Sequence, residues 1–185
     1  ACRLGEDMHG KGILVANEIS FERSKSLLRN IERSGIEGLV ILNETPENIA
    51  SRLPLFFDKI LIDAPCSGEG MFRRDKNACR SYMNYGPKVC VPLQESILEA
   101  ADKCLKEGGS IVYSTCTFCV DEDENQIKRF IERHPEYHVK AHSEIEGVTH
   151  AGEGSILPGS MRIWPHMSEG DGHFCVHIVK GEEKD

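Results

Sequence analysis

Short apolar runs that alternate with amphipathic stretches are the feature that most constrains the fold of this chain. The runs lie at 12–17, 39–42, 58–62 and 110–113, and their nearly continuous apolar character is typical of strands buried in a parallel sheet. Segments with the periodicity of helices separate them. This alternation predicts an α/β domain in which helices connect parallel strands.

Cap and turn residues predict where the helices begin and end. Ser20 precedes a helix that runs to about residue 34 and is closed by Gly35, and Pro46 suits the first turn of a short helix. Pro92 suits the first turn of a longer helix that stops at glycines 108–109. The sequence therefore predicts helices between all of the early strands.

The C-terminal third predicts a helix, a loop and a hairpin. The acidic run 121–124 suits a helix N-terminus, where carboxylates are favoured, better than it suits a metal site. The glycine-rich stretch 141–160 lacks periodicity and indicates a long loop. The runs 161–164 and 173–179 predict two antiparallel strands joined by a turn.

Two cysteine-bearing turns each follow one of the apolar runs. Cys66 follows the run 58–62, and Cys116 follows the run 110–113. Because ligands and chemistry collect beyond the carboxyl ends of parallel strands, this placement predicts two thiols at one edge of the sheet. Taken singly, each cysteine fits a buried structural residue better than a reactive one.

Charge argues against a general nucleic-acid binder. The chain of 185 residues has a net charge of −8, whereas phosphate contact normally leaves a basic footprint. A local basic cluster nevertheless follows the first cysteine turn and contains Arg73, Arg74, Lys76 and Arg80. It fits either a solvated face or a contact with RNA.

Cysteine usage and hydropathy indicate the compartment. The eight cysteines are irregularly spaced in a chain that is long enough for one domain with its own core, which favours reduced thiols over a disulfide framework. No apolar stretch approaches the roughly 20 residues that span a bilayer. The first residues also lack the pattern of a signal peptide. We expect a soluble, cytoplasmic protein that does not contact a membrane.

Together, the two turns resemble the S-adenosylmethionine-dependent RNA (cytosine-5) methyltransferases of the Nol1/Nop2/Sun type. The resemblance extends from about Lys11 to Lys180, and its matching segments are 63–70 with 73–75, Gln94, 114–117, 162–166 and 170–174. It implies a Rossmann-like class I methyltransferase fold, with a mostly parallel sheet and an antiparallel C-terminal hairpin. Residues 1–180 would then form a partial catalytic domain, followed by a charged tail at 181–185.

The resemblance also implies a role for individual residues. Cys116 matches the nucleophile that adds to carbon 6 of cytosine, and Cys66 matches the residue that assists product release. Asp63 would contact the flipped cytosine as well as the cofactor. The implied S-adenosylmethionine contacts are Glu18, Asn43, Glu44 (or Thr45 in its place), Asp63 and Pro65; Arg73 and Arg74 would contact an RNA substrate, with rRNA favoured over tRNA.

No metal is expected. His166, His173 and Cys175 lie near one another in the sequence, but they lack compact ligand spacing. The two histidines are expected to belong to the closing hairpin. Trp164 and Phe174 are expected to be core residues rather than stacking platforms.

The chain also departs from the family pattern. The family's first strand and its glycine-rich loop would precede Ala1, and that strand would lie between the strands that end at Glu18 and Asp63. We therefore expect a fragment of a longer protein, with impaired or no activity alone. Two alternatives remain open: an inactive RNA-binding or assembly factor, and a DNA cytosine methyltransferase, which takes its nucleophile from the Pro-Cys turn.

Overall fold

A computed structural model describes residues 1–75 and 77–182 and divides the chain into two compact units. The first unit is Ala1–Ile49, and the second is Ala50–Asp185. Lys76 of the basic cluster and residues 183–185 of the predicted charged tail lie outside the described residues.

The first unit contains a pair of parallel strands and the helices around them. Its elements are α1 (Cys2–Asp7), β1 (Leu14–Asn17), α2 (Phe21–Ser34), β2 (Leu39–Leu42) and the beginning of α3 (Pro46–Arg52). Leu14 of β1 lies opposite Leu39 of β2. The predicted bounds of α2 are confirmed, since the Ser20 hydroxyl accepts a hydrogen bond from a first-turn N–H group and Gly35 adopts a left-handed conformation.

The second unit is a six-stranded mixed sheet with helices. Its elements are β3 (Phe57–Asp63), a 3-10 turn (Glu69–Met71), α4 (Ala78–Asn84), α5 (Pro87–Cys104), β4 (Leu105–Thr115), α6 (Glu124–Arg133), β5 (Tyr137–Val139), β6 (Thr149–His150), β7 (Met161–Ile163) and β8 (His173–Lys180). The strand order is β3-β4-β8-β7-β6, and β5 also pairs with β8. β3 is parallel to β4, whereas β8 is antiparallel to β4, β5 and β7. The predicted α/β class and the antiparallel C-terminal hairpin are thus confirmed.

The core of the second unit is centred on β4 and β8. Ile111 and Tyr113 of β4 are fully buried, as are Val176 and Ile178 of β8 and Ile127 of α6. Full burial of one such side chain contributes about 1.5–3 kcal/mol. The end of β4, which leads into Cys116, is therefore held by the best-packed part of the unit. Among the described residues, no helix is both long enough and apolar enough to cross a bilayer.

The strands β1, β2 and β3 are less buried than their apolar sequences predict. Val40 in β2 is 45% exposed, and Leu61 in β3 is 51% exposed. Among the described residues, β1 pairs only with β2, and β3 pairs only with β4. The expectation of fully buried strands is therefore wrong for these three and correct for most of β4.

Two predicted boundaries are wrong. The helix expected to begin at Pro92 begins at Pro87, and Pro92 lies in its second turn, where it removes one backbone hydrogen bond without ending the helix. The helix ends before Leu105, so that glycines 108–109 lie within β4. A Cβ atom on Gly109 would lie 2.8 Å from the Asp58 carbonyl oxygen, because the neighbouring strand passes so close. The predicted loop 141–160 also contains the short strand β6.

Candidate active site

The structure brings the thiols of Cys66 and Cys116 side by side. Their sulfur atoms are 3.4 Å apart, and both residues are half-buried. The pairing of β3 with β4 produces this contact, because Asp63 lies opposite Ser114 and each strand ends just before its cysteine turn. The Ala64 N–H group extends the pairing by donating to the Ser114 carbonyl oxygen at 2.9 Å.

The contact affects the two thiols in opposite ways. The hydrogen bond with Cys66 lowers the pKa of Cys116 to about 7, although burial and the negative charge of Asp63 oppose this change. The same hydrogen bond, together with burial, raises the pKa of the Cys66 thiol. The contact therefore favours the thiolate form on Cys116 and the thiol form on Cys66.

Direct hydrogen bonds join the two cysteine turns. The hydroxyl groups of Ser67 and Thr117 lie 2.8 Å apart, and the Gly70 N–H group donates to the Cys116 carbonyl oxygen at 2.9 Å. A Cβ atom on Gly70 would lie 2.6 Å from the Gly172 carbonyl oxygen and 2.8 Å from that of Cys116. Only glycine allows this close approach of three backbone segments.

Two carboxylates link the same turns in a reciprocal way. Glu122, which follows the Cys116 turn, is fully buried, and its Oε2 accepts a hydrogen bond from the Ser67 N–H group at 3.0 Å. Glu69, which follows the Cys66 turn, accepts hydrogen bonds from the Phe118 N–H group at 3.1 Å and the Thr117 hydroxyl at 3.2 Å. Glu122 therefore holds the Cys66 turn, and Glu69 holds the Cys116 turn.

A buried ion pair supports the residue before Cys116. Arg162 of β7 lies 2.9 Å from an Asp123 oxygen and donates to Glu124 at 2.7 Å. Asp123 in turn accepts a hydrogen bond from the Thr115 hydroxyl at 2.6 Å. The acidic run does begin a helix, as predicted, because α6 starts at Glu124. The burial of Glu122 and Asp123 against the cysteine turns, however, is not predicted by the sequence.

Arg73 and Arg74 contact the loop that precedes β8. Arg73 donates to the Gly170 carbonyl oxygen at 3.0 Å, and Arg74 pairs with Asp171 at 3.1 Å. The side chain of Arg74 nevertheless remains 73% exposed. These contacts use one nitrogen of each guanidinium, so that further N–H donors stay available.

The aromatic residues of the hairpin are only partly in the core. Phe174 is fully buried, as expected. Trp164 is half-buried and stacks on Phe118, with ring centroids 5.3 Å apart. The expectation of a core residue is therefore correct for Phe174 and only partly correct for Trp164.

In the first unit, Glu18 follows the end of β1, and Asn43 and Glu44 follow the end of β2. The Asn43 amide donates to the Glu18 carbonyl oxygen at 2.6 Å. The carboxylate of Glu18 accepts a hydrogen bond from the backbone at the start of α2. Thr45, the alternative to Glu44, accepts a hydrogen bond from the Asn48 N–H group and so caps α3. Asp63 and Pro65 belong to the second unit, where both are exposed.

One potential metal-ligand group occurs elsewhere in the second unit. Asp102, His134 and Glu136 have ligand atoms within 4.8 Å of one another. The Lys180 ammonium lies 2.8 Å from Asp102, and this positive charge opposes the binding of a cation. Among the described residues, His166, His173 and Cys175 do not form such a group.

The fold and the paired thiols define a Rossmann-like class I methyltransferase domain. Residues 2–179 match the model of a family described as 16S rRNA methyltransferase RsmB/F. The chain belongs to this family. The resemblance that the two cysteine turns carry is thereby confirmed.

Individual relatives agree with this assignment. Ribosomal RNA small subunit methyltransferase F from Shewanella piezotolerans is 33% identical over 175 residues, which are 94% of this chain and 36% of the relative. The chain thus spans about a third of the length of such curated relatives. The crystal structure of PH0851 matches with a TM-score of 0.83 at 28% identity, and the match covers 98% of this chain and 39% of the PH0851 chain. NSun6 from Pyrococcus horikoshii, solved with SFG, has the same fold, with a TM-score of 0.75 at 24% identity and coverage of 97% of this chain and 44% of its own.

Proposed function

We propose that this chain carries the thiol chemistry of an S-adenosylmethionine-dependent RNA (cytosine-5) methyltransferase. The observation that carries the proposal is the contact of two free thiols, 3.4 Å apart, whose pKa values shift in opposite directions. A reaction that adds and later eliminates a thiolate needs one sulfur as nucleophile and a proton donor beside it. Cys116 and Cys66 supply these two groups.

Carbon 5 of cytosine is a poor nucleophile, so the reaction begins at carbon 6. The Cys116 thiolate forms a bond to carbon 6, and the electrons of the 5,6 double bond become available at carbon 5. Asp63 is the last residue of β3, and its charge acts on Cys116. It would bind the Watson–Crick edge of the base near nitrogen 3 and favour protonation there. The base must leave any stack to reach the thiol.

S-adenosylmethionine, when bound, supplies the methyl group for carbon 5. In the first unit, Glu18, Asn43 and Glu44 would contact it. The donor set fits, because carboxylates at strand ends bind ribose hydroxyls in nucleotide-binding α/β folds. An ionised carboxylate has about four acceptor positions, so Glu18 retains capacity beyond its contacts with α2.

Elimination releases the product. A base removes the proton from carbon 5, the electrons of that C–H bond restore the double bond, and the bond between carbon 6 and sulfur breaks. The departing sulfur leaves as the Cys116 thiolate, and the Cys66 thiol stabilises it through the hydrogen bond already present at 3.4 Å. Loss of Cys66 would therefore leave the RNA attached to the protein.

The substrate is proposed to be rRNA rather than tRNA. The matching family and its relatives are named as rRNA methyltransferases of the small subunit, and this also favours RNA over DNA. Arg73 and Arg74 would contact phosphates through the N–H donors that their loop contacts leave available. All eight cysteines are free, which supports action in the reducing cytoplasm.

Transfer of a labelled methyl group from S-adenosylmethionine to small-subunit rRNA by the full-length protein tests the proposal. Nuclease digestion and chromatography should identify 5-methylcytidine as the product. Cys116→Ala should abolish the transfer, Cys66→Ala should accumulate a denaturation-resistant protein–RNA adduct, and Cys79→Ala, at an exposed thiol of α4, should behave like the unmodified protein. Undiminished transfer by Cys116→Ala would contradict the proposal.

A further inference from the structure

We propose that Glu122, acting with Gln94, is a positioning residue that keeps the Cys66 thiol in place for elimination. This inference rests on the proposed function and adds to it. Glu122 is not a reacting group in the proposed steps. It acts through the backbone of the turn that carries Cys66.

Glu122 and Gln94 fix the backbone on both sides of Cys66. On the C-terminal side, the Ser67 N–H group donates to Glu122 Oε2 at 3.0 Å. On the N-terminal side, the Gln94 amide donates to the Pro65 carbonyl oxygen at 2.9 Å. The same amide nitrogen donates to Glu122 Oε2 at 2.9 Å, and this bond joins the two supports. The Cys66 turn is thus attached to α5 and to the segment before α6.

The arrangement is costly for stability alone. Glu122 and Gln94 are both fully buried, and Oε1 of each has no hydrogen-bond partner among the described residues. Burying a polar atom without a hydrogen-bond partner is unfavourable. Violations of this kind are expected where a site must hold a reacting group in place.

Glu69 provides an internal contrast. It accepts hydrogen bonds from the Phe118 N–H group and the Thr117 hydroxyl, which follow Cys116 rather than Cys66. The two carboxylates therefore hold different sulfurs. Loosening the Glu122 contacts should impair elimination, whereas loosening the Glu69 contacts should impair addition.

The test separates the two steps. In Glu122→Ala, the first methyl transfer should proceed while the denaturation-resistant RNA adduct accumulates, and steady-state turnover should fall by about 10- to 100-fold, because small displacements of reacting groups have effects of this size. Glu122→Gln keeps an acceptor for the Ser67 N–H group and should restore much of the turnover. Glu69→Ala should instead slow the first transfer without adduct accumulation.

Two further variants control for folding. Ile178→Val, in the core strand β8, lowers stability without touching the turns and should not accumulate adduct. Gln94→Met removes the second support with little change in volume and should accumulate adduct even if Glu122→Ala fails to fold. If the unmodified protein methylates RNA but neither Glu122→Ala nor Gln94→Met accumulates adduct, the inference is overturned and the proposed function remains intact. Absence of methyl transfer by the unmodified full-length protein would overturn both.

Discussion

Cys66 and Cys116 have the same side chain, but their surroundings assign them different protonation states. The shared hydrogen bond favours the thiolate on Cys116 and the thiol on Cys66. A nucleophile with a pKa near the ambient pH combines a large thiolate fraction with good nucleophilicity. At the scale of single residues, this division of protonation between two neighbours is the basis of the proposed chemistry.

The pH dependence of Cys116 alkylation should therefore show a low pKa. Because the thiolate is the reactive form, its modification by iodoacetamide should rise with pH around a midpoint near 7. In Cys66→Ala the stabilising hydrogen bond is lost while burial and Asp63 still raise the pKa of Cys116, so the midpoint should move up at least to the ordinary value of about 8.5. Peptide mass spectrometry of the Cys116 peptide measures both profiles. An unchanged midpoint in Cys66→Ala would contradict the assigned cause.

At the scale of elements, the turns after β3 and β4 are joined closely enough to behave as one. Gly70 is the point of closest approach, because a Cβ atom there would overlap two backbone carbonyl oxygens. The loop before β8 takes part through Gly172, where a side chain would collide with the ring of Phe118. Small residues at these positions allow three segments to meet around the thiols.

Gly70→Ala should disturb both stability and activity. The backbone oxygens cannot move independently, so we expect a loss of about 1–3 kcal/mol in the free energy of unfolding, as for other overpacked sites. Methyl transfer should fall by about 100-fold, because both thiols would shift. Urea denaturation and initial rates measure the two effects.

Gly152→Ala is the matched control, because a Cβ atom there would have no neighbour within 4 Å. It should leave the free energy of unfolding and the rate nearly unchanged. If Gly70→Ala behaved in the same way, the close approach of the three segments would not matter for the site.

Local chemistry explains which elements could be predicted from the sequence. The bounds of α2 follow from Ser20 and Gly35, whose side-chain and backbone preferences act within one turn. The start of α5 could not be predicted in this way, because Pro92 is tolerated in the second turn of a helix that begins at Pro87. The transition from α5 to β4 was also misplaced, because the buried Leu105 fits either element by its apolar character.

At the scale of the whole molecule, the two units differ in their cores. In the second unit, β4 and β8 carry a continuous set of fully buried side chains. In the first unit, β1 and β2 form a two-stranded sheet, and no residue of either strand is fully buried. Two strands alone are marginally stable.

Hydrogen exchange should reflect this difference. Amides in β1 and β2 should exchange by local opening at low free energy, whereas those in β4 and β8 should exchange only near global unfolding. Exchange followed by mass spectrometry of the strand peptides measures this order. Equal protection of the two pairs of strands would contradict the account of the cores.

The site was only partly accessible to prediction, because its supports depend on tertiary contacts. The cysteine turns stand out in the sequence, since each follows an apolar run and both match a family pattern. Glu122 carries no comparable signal, because it lies in an acidic run that suits a helix start. Gln94 matches the family pattern, but its position within a helix gives no indication of its role. Their function as supports becomes visible only when β3, α5 and the segment before α6 are packed together.

The central claim is that Cys116, and not Cys66, forms the bond to the pyrimidine. Fluorine at carbon 5 blocks elimination, so RNA that contains 5-fluorocytosine should be trapped on the protein in the presence of S-adenosylmethionine. Proteolysis and mass spectrometry of the trapped complex should locate the RNA on Cys116. A bond to Cys66 would contradict the account and indicate the chemistry of a DNA cytosine methyltransferase, and the absence of any bond would contradict covalent catalysis by this pair of thiols.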